Sequence, residues 1–187
     1  MRDNVLRSVV LAAAFTALII VGALLSFPSP WNPAVPFTLA TLFVVLAGVL
    51  LGPWAGAASV AAYLFLGLVG LPVFAGGTGG PQVFVGPTGG FLLGYLLAAL
   101  AGGLVVRAGK GALWALVVGV AVASAVIYVP GIPLMQRWFA SNREGWTWAA
   151  TMAAVAPYFV GDAVKAVAAV LLARALAGRL GAAGRGA

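Results

Sequence analysis

From Ser8 to Val106 the chain carries no Asp, Glu, Lys or Arg. Its apolar residues come in blocks, and Pro and Gly separate the blocks. A helix needs about 20 consecutive apolar residues to cross the hydrocarbon core of a bilayer. On that measure the pattern predicts six spans, over 8–26, 37–51, 54–74, 91–106, 112–130 and 157–176. The breaks between them are Pro28, Pro30, Pro33 and Pro36, then Gly52-Pro53, a long Gly-rich stretch, and Gly109 with Gly111. Pro lacks an N–H and Gly lacks a side chain to restrict it, so both end helices. The blocks do not alternate apolar with polar positions, as the strands of a membrane β-barrel would. The predicted fold is therefore an all-α integral membrane protein, a single transmembrane domain of six helices. The first span sits where a signal peptide would, but its apolar stretch is too long for an h-region. We read it as an uncleaved first helix.

The few charges orient the bundle. Six spans put both termini on one side. If that side is the cytoplasm, the inner segments hold Arg2, Arg7, Arg107, Lys110, Arg174, Arg179 and Arg185, and the outer ones hold Arg137 and Arg143. The positive-inside rule favours this arrangement, with both termini cytoplasmic. Trp31, Trp54, Trp114, Trp138, Trp146 and Trp148 fall near predicted span ends, as an interfacial aromatic belt requires. The long segments 27–36, 75–90 and 131–156 then lie outside, where recognition is expected.

Composition narrows the chemistry. Hydrophobic residues make up 64% of the chain and charged ones 7%, against about 45–50% and about 25% in a soluble domain. That excludes a water-soluble fold. The chain has no His and no Cys, which removes Ser-His-Asp and Cys-His catalysis, His-ligated metals and zinc thiolates. Three acidic residues in the whole chain argue against a metal-dependent hydrolase, so neither a resident metal nor a cofactor is expected. The net charge of +7 comes from residues at the ends of apolar runs. This points to a membrane rather than to nucleic acid.

Two features stand out as candidate sites. The first is the outer segment Gly76-Gly77-Thr78-Gly79-Gly80-Pro81 through Gly86-Pro87-Thr88-Gly89-Gly90, in which Thr-Gly-Gly occurs twice. Glycines allow close approach and positive φ. No Lys follows, so this is not a phosphate loop. The plain alternative is a pair of tight turns, and the density of Gly favours a shaped loop beside a pocket. The second is Asp162 with Lys165, the only charges well inside a predicted span (Arg174 lies at the inner end of the sixth), three residues apart on one helical face. A charge at the bilayer centre costs about 2.5–3.5 kcal/mol and marks a functional cavity. A mutual salt bridge that only neutralises both groups is the alternative, yet such a pair adds little net stability. Asp162 is suited to accept ligand N–H groups and Lys165 to hold a carbonyl or carboxylate. Tyr63, Tyr95, Tyr128 and Tyr158 are further polar handles. On the first span, Ala13-x-x-x-Ala17 and Ala12-x-x-x-Thr16 offer small faces for close helix packing.

Three stretches resemble the BioY family, the biotin-specific substrate-capture (S) components of energy-coupling-factor (ECF) vitamin transporters. They are Val35-Pro36-Phe37-Thr38-Leu39-Ala40-Thr41-Leu42, then Gly70 through Gly77 with Gly86 through Tyr95, and Pro157 through Lys165. The resemblance covers nearly the whole chain. It implies an S-component-type six-helix bundle in the bacterial cytoplasmic membrane that captures biotin from outside. The pocket would be roofed by the loop between the first two helices. Phe37, Thr38, Gly76, Gly77, Thr78, Gly89, Gly90 and Tyr95 would line it, and Asp162 and Lys165 would contact the ligand. Ala13 and Ala17 would dock on a transmembrane coupling subunit driven by two cytoplasmic ATPases. The sequence departs from the family pattern at Ala40, where Gln is usual and where no side-chain amide is now available. Phe91 and Tyr95 exchange the usual Tyr and Phe, and Val160 replaces a frequent Pro. Other readings left open are an S component for another vitamin such as thiamin, an intramembrane enzyme, and a structural or channel-forming oligomer.

Overall fold

The computed structural model describes residues 2–30, 32 and 34–180, with side chains over 5–30, 32 and 34–176. Trp31, Pro33, Arg185 and the side chains of Arg2, Asp3 and Arg179 lie outside the described residues. Six helices follow the six apolar blocks: α1 (Arg2–Leu24), α2 (Ala40–Leu51), α3 (Pro53–Leu68), α4 (Gly89–Ala108), α5 (Leu113–Asn142) and α6 (Trp148–Leu180). Two short strands, β1 (Ser26–Phe27) and β2 (Phe37–Thr38), pair antiparallel between α1 and α2. The protein is an all-α, multi-pass membrane protein. Helices α1, α4, α5 and α6 are each long and apolar enough to cross a bilayer.

Helix α2 explains the architecture. It packs against all five other helices, so it has no lipid-facing side and is apolar all round. Its buried residues run continuously from Val44 to Val49. With 12 residues it is about 18 Å long, well short of the roughly 30 Å hydrocarbon core. Its N-terminus therefore begins inside the bundle. The β1–β2 ribbon descends to meet it, through a bond from the Leu39 N–H to the Gly22 carbonyl (2.9 Å). Phe37 and Thr38 belong to this ribbon, not to the second helix in which they were expected.

Three boundaries depart from the sequence pattern. The third helix stops at Leu68, short of the expected Phe74, because Gly70 takes a positive φ and Pro72 follows it. Pro130 does not end α5, which continues through Pro133 to Asn142, and Pro157 lies inside α6. The expected outer segment 131–156 is mostly helix, with a turn only over 143–147. Each proline deletes one helix bond, to the carbonyls of Val126, Val129 and Ala153. Membrane helices tolerate this because neighbours and the rest of the helix keep the backbone paired. The extra turns build a second core. Val35 of the roof packs with Met135, Phe139 and Val155. Trp146 stacks on Phe139 at 4.5 Å, and the Arg143 guanidinium lies 4.9 Å from the same ring. Trp138 and Trp146, expected in the interfacial belt, join this packing. Trp54, Trp114 and Trp148 are exposed.

The helices meet through glycines. A Cβ on Gly48 of α2 would sit 2.5 Å from the Ala99 carbonyl oxygen and 2.8 Å from the Ala99 Cα of α4. Backbone atoms cannot move aside as a flexible side chain would. Gly48→Val is expected to lower unfolding stability in detergent by about 1–3 kcal/mol through overpacking. Val164→Ala, on the exposed face of α6, is expected to leave it nearly unchanged. Thermal melts of both variants against wild type check the contrast.

Candidate functional site

Above the N-terminus of α2 lies a cavity of about 430 Å3, within the usual range of about 300–1,000 Å3 for small-molecule sites. Every helix contributes: Ala23 from α1, Ala40 and Thr41 from α2, Tyr63 from α3, Tyr95 from α4, Tyr128 from the middle of α5, and Asp162 from the middle of α6. The roof comes from residues 26–38 and from the Gly-rich segment.

The site's polar face is set by a stripe on α6. Thr151, Ala154, Val155, Tyr158, Asp162, Lys165, Ala169 and Ala173 recur at helical spacing and point inward, while Val160, Val164, Val167 and Leu171 are exposed. Asp162 and Lys165 each keep only 16% of their side-chain surface. The Lys165 Nζ lies 2.5 Å from Asp162 Oδ1. It also donates to Thr41 Oγ1 (2.8 Å) and to the Thr38 carbonyl (3.1 Å). All three ammonium protons are thus used. Asp162 accepts on its other oxygen from the Tyr128 hydroxyl. Thr41 Oγ1 makes a longer 3.5 Å contact to Oδ1. Buried charges persist when they are paired and hydrogen-bonded, and this pair meets both conditions. The lone pair left on Asp162 is the acceptor available to a ligand.

The roof is held from two directions. Tyr158 stacks on Phe37 at 4.3 Å and its hydroxyl donates to the Val35 carbonyl. In the Gly-rich segment, Gly76 and Gly77 take positive φ (70° and 69°), a conformation that side chains resist. The turn lets the Gly76 N–H donate to Ser26 Oγ (3.1 Å), joining the two roof segments. Thr78 closes the same turn through the Ala75 carbonyl (3.0 Å).

Of the residues singled out in the sequence, Phe37, Thr38, Gly76, Thr78, Tyr95, Asp162 and Lys165 line the cavity. Gly77, Gly89 and Gly90 do not line it. Gly77 shapes the turn behind Gly76. Gly89 and Gly90 are buried in the first turn of α4, where a Cβ on Gly90 would meet Leu134 at 2.9 Å and Gly131 at 3.0 Å. The second Thr-Gly-Gly is thus a helix-packing element. Thr41 is a polar wall residue that sequence reasoning missed. Its signal was its place three residues after Thr38, at the start of an apolar run. Outside the cavity, Ala13 and Ala17 are exposed on α1, while Thr16 donates inward to the Ser59 carbonyl (3.0 Å).

A helical membrane bundle with a roofed cavity and a paired acid and amine in its wall is the class these features define. The chain belongs to the BioY family, whose model matches residues 1–182. It is 40% identical over 168 residues to a biotin transporter BioY of Thermotoga maritima, covering 90% of this chain and 94% of that one. It is 41% identical over 180 residues to a biotin transporter BioY of Rhodobacter capsulatus, covering 91% and 93%. Among solved structures it resembles the S-component for biotin from an ECF-type ABC transporter, with a TM-score of 0.81 and 27% identity over 94% of this chain and 93% of that one.

The pair's geometry makes its two members interdependent. Lys165→Met is expected to cost about 3–5 kcal/mol of stability, because it leaves Asp162 buried and uncompensated. The double variant Asp162→Asn, Lys165→Met is expected to lose less than the single one. Denaturant unfolding in detergent measures both. A double loss equal to the sum of the two single losses would mean that the groups act independently.

Proposed function

We propose that this protein is the biotin-binding S component of an ECF transporter, capturing biotin from outside and passing it across the cytoplasmic membrane. The observation that carries this reading is one cavity that joins the Asp162–Lys165 pair to the roof segments of a BioY-family bundle. Biotin offers two N–H donors and a carbonyl on its ureido group, an apolar ring and chain, and a carboxylate. In this reading Asp162 accepts a ureido N–H. Lys165 neutralises Asp162 and turns to the ligand by giving up its longest bond, the one to the Thr38 carbonyl. Phe37, Tyr95 and the aliphatic walls cover the ring. Gly76, Gly77 and Thr78 hold the roof over it, and Gly89 and Gly90 seat α4 so that Tyr95 faces inward.

The cavity lies at the end of the bundle where α1, α3 and α5 finish. Arg107, Lys110 and Arg174 belong to the opposite end. The positive-inside rule then turns the cavity outward and both termini inward. Energy for release has to come from elsewhere, since the chain has no Walker A sequence. The coupling subunit and two ATPases of an ECF module supply it in this reading. The exposed Ala13–Ala17 face of α1 is the docking face, because small residues let helix backbones approach closely.

Purified protein is expected to bind biotin and to melt higher with it, by about 2.7 kcal/mol of stability at a hundredfold excess over Kd. Asp162→Asn is expected to weaken binding by about tenfold or more, since a charge-assisted hydrogen bond contributes about 1.5–3 kcal/mol. No biotin binding by wild type defeats the assignment, and a competition panel of other vitamins would then identify the ligand class. Docking separates from capture in a second measurement. Ala13→Leu with Ala17→Leu is expected to leave biotin affinity unchanged and to abolish uptake by cells carrying the coupling module.

A further inference from the structure

Tyr63 is the largest fully buried side chain among the described residues, with 1% of its surface exposed. Its ring meets Phe74 edge-on at 5.3 Å, and a Phe at this position would make the same contact. The hydroxyl is what needs explaining. It makes no side-chain hydrogen bond among the described residues and is not one of the enclosed polar atoms left unpaired, so it opens onto the cavity that Tyr63 lines. A hydroxyl that opens onto a cavity is a donor aimed at whatever fills it. Keeping one at the cavity wall makes physical sense when the occupant of the cavity pairs with it.

Its neighbourhood defines the occupant's chemistry. Tyr63, Tyr95, Thr38 and Asp162 all line this one cavity. Among the described residues, the cation in this wall is Lys165, already neutralised by Asp162 at 2.5 Å. A carboxylate placed here would face the Asp162 anion with no free positive charge to balance it. A neutral carbonyl oxygen flanked by N–H donors fits. The oxygen would accept from a phenol, and an adjacent N–H would donate to Asp162. We infer that Tyr63 is a ligand-contact residue whose hydroxyl donates to the carbonyl of a cyclic urea, the ureido oxygen of biotin. The carboxylate end then lies towards the roof, near Ser26 and Thr78. This inference rests on the biotin reading and deepens it. Tyr63 drew no distinct role from the sequence, because a lone Tyr in an apolar run looks like packing.

The test crosses two proteins with three ligands. Wild type and Tyr63→Phe are each titrated with biotin, with the thiourea analogue in which sulfur replaces the ureido oxygen, and with biotin amide, which lacks the carboxylate. Tyr63→Phe is expected to bind biotin and biotin amide roughly five- to tenfold more weakly than wild type. Binding of the thiourea analogue is expected to change by less than about twofold, because sulfur is a poor acceptor. The ligand-free melting temperature is expected to stay the same, since the hydroxyl makes no side-chain hydrogen bond among the described residues. Unchanged biotin affinity overturns the inference. An equal loss for biotin and the thiourea analogue does so too, since that pattern reports packing. A loss for biotin that is absent for biotin amide places the carboxylate at Tyr63 and also overturns it. Failure of wild type to bind biotin is a separate result, and it defeats the parent reading.

Discussion

A bilayer forbids unpaired backbone polar groups, yet one of the six helices is too short to cross it. That helix, α2, is enclosed by all the others, so its missing length does not face lipid. It faces the interior, and the space left above its N-terminus is the cavity. Irregular backbone at this depth is tolerated only where it is buried in protein or lines a cavity. The β1–β2 ribbon satisfies that condition by pairing with itself and with the end of α1. The site's location follows from the shortness of one helix, before any ligand-specific residue is considered.

The same constraint accounts for the charges. A lone acid or amine at this depth would be costly, and the pair on α6 offsets the cost by complete internal bonding. Lys165 spends its protons on Asp162, Thr41 and Thr38, two of which belong to the elements that meet at the cavity floor. The pair therefore ties α6 to the ribbon and to the start of α2. A ligand that drew on Asp162 or Lys165 would therefore act on the joint between roof and bundle.

Much of this was legible in the sequence, for a simple reason. In lipid, apolar length, charge scarcity and helix spacing are strong constraints, so six helices and the Asp162–Lys165 pair follow from position alone. What misled was local punctuation. Pro130 and Pro157 read as helix ends under rules learned in water, where a broken helix is readily solvated. In the bundle they sit inside long helices, and the turns beyond them carry the core that holds Val35 and the roof. The repeated Thr-Gly-Gly misled in the other direction. Its two copies look alike but do different work: the first closes the roof turn and the second seats α4 against α5. Sequence cannot tell a glycine needed for positive φ from one needed for close packing, because both requirements select the same residue.

The two small-residue faces of α1 show how one helix serves two tasks. Thr16 points inward and donates to the carbonyl of Ser59 across the α1–α3 contact. Ala13 and Ala17 lie exposed on another side of the same turns. A helix in lipid gains little from burying apolar surface against another apolar helix, so association depends on close approach and hydrogen bonds. The inward face uses both and fixes α1 to the bundle. The outward face offers close approach alone, with no hydrogen-bonding group to satisfy when unpartnered. Such a face is stable both in lipid and against a second helix, and that reversibility is what a component that docks and releases requires. Its C-terminal end reaches the cavity at Ala23, so the helix that carries the proposed docking face also forms part of the cavity wall.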